Sequence, residues 1–148
     1  TGRLHSASTA AALEEGLTGN ARAISFEYEP IVRMTTTYIK PGSKTFDELV
    51  SEVDDGYLIE TIKHGSGLST FTIAPSLAYR IENGKITDPV NIAVISGTVF
   101  ETLSEIDGLS DKLELLSFVT GGCGKMEQYP LPVGFGGPYV RVRNMMVQ

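Results

Sequence analysis

Apolar and polar positions change period several times along this chain, and each change marks a predicted element. Residues 4–16 are alanine-rich, with Ser6 or Ser8 placed to cap a helix, His5 flanking its start and Gly16 placed to end it. From Ala23 the period becomes two: Ile24, Phe26 and Tyr28 alternate with Ser25, Glu27 and Glu29, which predicts a strand interrupted at Pro30. A second β-rich run, 31–39, contains Thr35, Thr36 and Thr37 in succession and stops at Pro41-Gly42. Thr45 and Glu48 have capping-box spacing, and Phe46, Leu49, Val50 and Val53 share one face of the helix they open, with its end near Gly56.

Residues 57–62 then read as a strand, followed by a flexible His64-Gly65-Ser66-Gly67. Residues 71–81 are extended, Asn83-Gly84 is a hairpin turn, 85–87 return, and 90–95 form a further strand. Thr98 and Glu101 make a second capping box, whose helix runs to about Ile106 with Gly108 beyond it. Residues 113–119 are apolar enough for a strand. They lead into a glycine-rich loop, 120–125, that holds Cys123. Prolines and glycines over 130–138 predict a tightly turning connection, and 139–147 a last strand with Arg141 and Arg143 on one solvated face.

Strands separated by turns, without regular helical crossovers, imply an α+β fold: a largely antiparallel sheet carrying two or three short helices, in one domain spanning 1–148. A chain of 148 residues buries roughly 70% of its unfolded surface. The net charge of −6 and the scattered basic residues argue against nucleic-acid binding, which needs clustered Lys and Arg. No run approaches the ~18 apolar residues of a membrane span. One cysteine excludes an internal disulfide and fits a reducing, cytoplasmic setting. A start at Thr1 in place of Met points to a fragment, a processed chain or an excised piece.

Candidate chemistry is sparse. His5 and His64 lack metal-ligand spacing to each other or to Cys123, and H-E-x-x-H and C-x-x-C are absent. His5 reads as a helix-flanking residue and His64 as a histidine among glycines. Cys123 stands out because Gly121, Gly122 and Gly124 pack poorly in a core and admit close approach. Lys125 two residues on would favour the thiolate. Either a metal ligand or a nucleophile fits, and a nucleophile would need a histidine that the sequence does not place. The spacing from Gly121 to Lys125 is not that of a phosphate-binding loop.

Several segments together resemble the TldD/PmbA family, whose members are also called modulators of DNA gyrase. These are Gly19-Asn20-Ala21-Arg22-Ala23, the run from Pro30 to Ile39 with Pro41-Gly42, and the stretch from Ala78 to Lys85 with Pro89-Val90. Cys123-Gly124-Lys125 with Gln128, and Pro132-Val133-Gly134 with Gly137-Pro138, complete the set. The cysteine is TldD-like. The resemblance implies a cytoplasmic zinc metallopeptidase acting on peptides, in which two histidines of an H-E-x-x-x-H helix and the Cys-Gly-Lys cysteine hold the metal and the helix glutamate acts as base. Only the cysteine maps here, to Cys123, so the helix would lie in an absent N-terminal portion. The family pattern has Asn where this chain has Thr36 and Gly where it has Glu127.

The chain is thus expected to be the C-terminal part of a TldD-like peptidase that supplies one zinc ligand. Alone it should be inactive, with no zinc of its own. Thr35, Thr36, Thr37, His64, Gly65, Ser66 and Gly67 are candidates for the substrate cleft. The partners implied are its own N-terminal domain, a second copy or a PmbA-like protein, and a peptide. The alternatives are a non-catalytic assembly domain or a regulator of DNA gyrase.

Overall fold

A computed structural model describes residues 6–148, with the backbone alone at 120 and 121. In chain order the elements are α1 (Ala7–Ala12), β1 (Ala21–Arg22), β2 (Ile31–Val32), β3 (Thr37–Tyr38), α2 (Phe46–Ser51), β4 (Asp55–Gly67), β5 (Thr70–Glu82) and β6 (Lys85–Val90). There follow β7 (Ile95–Thr98), α3 (Val99–Ser104), β8 (Ile106–Leu109), β9 (Glu114–Lys125), β10 (Gln128–Gly137), β11 (Val140–Val142) and β12 (Met146–Val147). The α+β class holds. Every strand pair is antiparallel except β3 with β10.

The chain forms two compact units. One comprises 40–113 with 138–148, and its sheet is built around β5. β4 pairs with β5 along almost its whole length; on the other edge β7 takes residues 70–73 and β6 takes 78–82. Ala78, Ile92 and Ile95 are the buried centre, surrounded by Ile59, Ile73, Val90, Met145 and Val147. α2 opens on the expected capping box. The Thr45 hydroxyl accepts from the Glu48 amide at 3.2 Å, and the Glu48 carboxylate accepts from the Thr45 amide at 2.7 Å. Asn83 and Gly84 both take positive φ, 49° and 73°, as a two-residue hairpin with primed-turn twist requires.

Four expectations in this unit change. Residues 64–67 are not a flexible loop: they continue β4, paired with 71–74 of β5. Residues 91–94 are not a strand, because β6 already runs through Pro89 to Val90 and the Ala93 and Val94 amides turn to the Gln148 carbonyl. α3 stops at Ser104, and Gly108 falls within β8. The last strand is split at Asn144, whose φ is 53°.

Arg141 and Arg143 do share a face, but it is not merely solvated. Arg141 Nε donates to Asp107 Oδ1 at 2.7 Å and its Nη1 to Glu52 Oε2 at 2.8 Å, while Arg143 Nε donates to Asp107 Oδ2. The hydrogen bond from Arg141, supported by that from Arg143, holds the Asp107 carboxyl below the usual aspartate range. The depressed folded-state pKa means that the contribution is complete above the unfolded value of about 3.9 and disappears as pH falls through the folded value. Asp107→Asn is therefore expected to lower stability at pH 7 by about 1 kcal/mol and to flatten the loss of stability below about pH 4. Denaturant melts at pH 7 and pH 3 check this; an equally steep acid limb in the variant would count against it.

The other unit comprises the described residues up to 39 with 114–137. Ser6 caps α1, its hydroxyl accepting from the Thr9 amide at 3.2 Å. The helix ends before Gly16, because Glu14 takes positive φ. The expectation for His5 lies outside the described residues. Residues 23–29 are not a strand despite their alternation: the Ser25 carbonyl accepts from the Tyr28 amide, Ser25 Oγ accepts from the Glu27 amide, and the chain turns. The strand-forming residues are the flanking pairs, Ala21–Arg22 against Ile31–Val32. Run 31–39 is broken into β2 and β3. β10 lies between β3 and β9 in a three-stranded sheet.

Candidate metal centre

The glycine-rich segment holding Cys123 is strand, not loop. β9 runs unbroken from Glu114 to Lys125, turns at Met126 and Glu127, and returns as β10, so the Pro/Gly stretch from 130 is strand as well. The pairing sets Cys123 opposite Leu131 and Lys125 opposite Gln128, with register shifts between Gln128 and Leu131 and between Leu131 and Val133. Gly122 is there because the strands press together. A Cβ at Gly122, whose φ is 138°, would stand 2.0 Å from the Leu131 carbonyl oxygen, a distance no L residue tolerates.

Behind Cys123 lies a polar scaffold. Arg33 is 1% exposed. Its Nη2 donates to the Cys123 carbonyl at 2.5 Å and its Nη1 to the Gln128 carbonyl at 3.2 Å, while Nε has no partner. Gln128, also 1% exposed, ties the hairpin to the turn at 24–29: its Oε1 accepts from the Ile24 amide at 3.0 Å and its Nε2 donates to the Glu29 carbonyl at 2.9 Å. Lys125 Nζ donates to the Val32 carbonyl at 2.9 Å. These bonds fix the backbone on both sides of Cys123.

The thiol itself is half-buried, and its polar contact is the carbonyl of its own neighbour, Gly124, at 3.7 Å. It opens on a hollow of about 250 Å³ lined by Val32, Arg33, Met34, Cys123, Gly124 and Lys125. Two cationic side chains, Arg33 and Lys125, and no carboxylate line it. Among the described residues no group of three His, Cys, Asp or Glu is placed to hold a metal. The donor chemistry of the cysteine fits zinc as one corner of a site, and further donors would have to come from outside the described residues.

Thr35 and Thr36 line a second hollow, of about 290 Å³, with Arg22, Ser117, Val119 and Pro132 among its other walls. Arg22 Nη1 donates to the Pro132 carbonyl at 2.9 Å and Nη2 to the Met34 carbonyl, joining β10 to the segment between β2 and β3. Thr37 lies outside the hollow, in β3, paired with Phe135. His64, Gly65, Ser66 and Gly67 sit exposed in β4 of the other unit. Sequence reasoning missed Arg33 and Arg22. Arg33 carried a signal: a lone cation between Val32 and Met34 in a β-forming run.

Residues 1–148 match, over their whole length, the family described as the PmbA/TldA metallopeptidase C-terminal domain. The chain belongs to that family. It is 39% identical over 147 residues to the metalloprotease slr0863 of Synechocystis, covering 99% of this chain and 31% of that protein. It is 38% identical over 133 residues to a metalloprotease TldD homolog of Haemophilus influenzae, covering 88% and 27%. A zinc metalloprotease TldD homolog of Saccharolobus solfataricus is 36% identical over 132 residues, covering 88% and 29%. The chain therefore spans about a third of the length of these relatives. In fold it is similar to TldE of Thermococcus kodakarensis, with a TM-score of 0.70 at 18% identity over 93% of this chain and 29% of that one. A proposed modulator of a DNA gyrase from Thermotoga maritima aligns with a TM-score of 0.63 at 25% identity, over 98% and 30%.

In this PmbA/TldD-type domain the two departures from the family pattern have a local reading. Glu127 needs no glycine, because the positive φ of the turn falls on Met126, at 55°. Thr36 presses on β10: a Cβ at Gly134 would lie 2.6 Å from its Oγ1.

Proposed function

We propose that this chain is the C-terminal domain of a zinc metallopeptidase and contributes the Cys123 thiolate as one ligand of the metal. The remaining ligands and the catalytic base belong to a portion of the protein outside 1–148, on an H-E-x-x-x-H helix. The observation that carries this reading is the placement of the sole cysteine, held at its carbonyl by buried Arg33 and open to a hollow lined by cations. The names of the relatives, metalloprotease and zinc metalloprotease, support it. Bound zinc would supply a Lewis acid and a water with its pKa lowered to about 7. The chain's own part is to hold the thiolate rigidly; Thr35, Thr36 and Thr37 are the substrate-contact candidates of the same unit, and His64, Gly65, Ser66 and Gly67 are separate candidates on the other unit.

The substrate is a peptide, and the setting is cytoplasmic. No helix among the described residues is long and apolar enough to cross a membrane. The assembled enzyme is a homodimer or a heterodimer with a PmbA-like partner. No nucleic acid is contacted directly.

The isolated 148-residue chain is expected to bind zinc weakly and to hydrolyse no peptide, since a single thiolate is far short of the three protein ligands of a hydrolytic site. Metal analysis after dialysis, with a peptidase assay, tests this. Stoichiometric zinc that survives dialysis, or turnover abolished by a chelator, would overturn the reading.

A further inference from the structure

The unit that carries Cys123 has its polarity reversed. Among the described residues its buried side chains are mostly polar (Asn20, Arg33 and Gln128), with only Ala10 and Leu131 as buried apolar ones. Most of its large apolar side chains are exposed. The register Phe135 with Leu116 and Val133 with Phe118, with the period of two along each strand, puts Leu116, Phe118, Val133 and Phe135 on one face of the β9–β10 sheet. Phe118 and Phe135 meet there edge-on, with ring centroids 6.2 Å apart. Ile39 joins them, its side chain reaching to 3.4 Å from where a Cβ on Gly137 would stand. Leu116 is 57% exposed, Phe118 47%, Phe135 44% and Ile39 38%. The only charged residue that the pairing places on this face is Glu114, at its end.

A contiguous apolar face of this kind, not rivalled by any buried apolar core beneath it, marks a contact surface. Two considerations select its occupant. The relatives are about three times as long as this chain, so most of the mass that could cover the face lies in the same polypeptide. The face also belongs to the hairpin that carries Cys123, which follows Phe118 by five residues along β9. A second copy meeting like face to like face is disfavoured, because four or five side chains fall well short of the ~800 Å² per partner of a stable dimer. We infer that the Leu116–Phe118–Phe135 face is the seat of the remaining part of the full-length protein, and that this docking sets the metal ligands of that part against Cys123. The inference rests on the reading that this domain works within a longer peptidase.

The test is a photo-crosslinker, p-benzoylphenylalanine, placed at position 118 of the full-length protein, with the crosslinked peptides identified by mass spectrometry. The expected result is a crosslink within one molecule, joining residue 118 to a peptide outside 1–148. A covalent dimer through residue 118, a crosslink confined to 1–148, or no crosslink at all would overturn the inference. The same probe at the exposed Phe100 of the other unit is the control for random capture. None of these readouts depends on zinc or activity. If the crosslink forms in a protein that holds no zinc, the docking stands and the metallopeptidase reading fails; if zinc and activity depend on Cys123 but no crosslink forms, the reverse holds.

Discussion

Cys123→Ala and Cys123→Ser, made in the full-length protein, are expected to lose most of the zinc and to lower peptidase activity more than about 100-fold, the upper figure for losing a group that merely supports a ligand. A thiolate neutralises part of the metal's charge, and a serine hydroxyl stays protonated and cannot replace it. Folding of the metal-free protein should survive. The thiol is half-buried and its hydrogen bond goes only to its own neighbour's carbonyl, so truncation should cost at most about 1 kcal/mol. The melting comparison belongs in chelator, since any bound zinc stabilises the folded state of the wild type by mass action. A Cys123→Ala protein with full zinc and full activity, and a clearly lowered melting temperature in chelator, would mean that the thiol is a packing group and not a ligand.

What the sequence made legible follows from how local each signal is. The capping box at Thr45 and Glu48 closes within three residues, so the pattern alone located α2. Asn83-Gly84 set a hairpin because both residues accept positive φ cheaply. Residues 23–29 alternate as a strand does, yet a neighbouring strand decides whether alternation becomes a ladder; here Gln128 instead takes the Ile24 amide and the Glu29 carbonyl, and the segment turns. The larger miss was the glycines around Cys123. Glycine at 122 and 136 reads as loop in one dimension, but both meet a carbonyl of the paired strand: a Cβ at either would lie 2.0 Å from the oxygen of Leu131 or Glu114. That reason is tertiary and leaves no periodicity to find. The candidate ligand itself was legible as a lone cysteine among glycines. Its support by Arg33 was not, since 90 residues separate the guanidinium from the carbonyl it holds.

Gln128→Leu is expected to be the most damaging conservative-volume change in the unit around Cys123, destabilising it by about 2–4 kcal/mol. The side chain is 1% exposed, and both ends of its amide are engaged: one accepts from the Ile24 amide, the other donates to the Glu29 carbonyl. Leucine fills the space but leaves both backbone groups unpaired, each at about 1–3 kcal/mol. The gain from burying leucine in place of an amide offsets only part of this, because the neighbourhood is polar, with Arg33 bonded to the Gln128 carbonyl. Gln128→Glu separates the two roles. A carboxylate can still accept from Ile24 but cannot donate to Glu29, so at pH 7 it should be at least as harmful as leucine. Protonation restores a donor, so its deficit relative to wild type should shrink as pH falls toward 5. Denaturant melts of the three proteins at both pH values give the answer. Zinc content of full-length Gln128→Leu should fall without vanishing, since the hairpin loosens while the thiol remains. A variant as stable as wild type would show that the 24–29 turn is held by other contacts and that Gln128 does not brace the strand carrying Cys123.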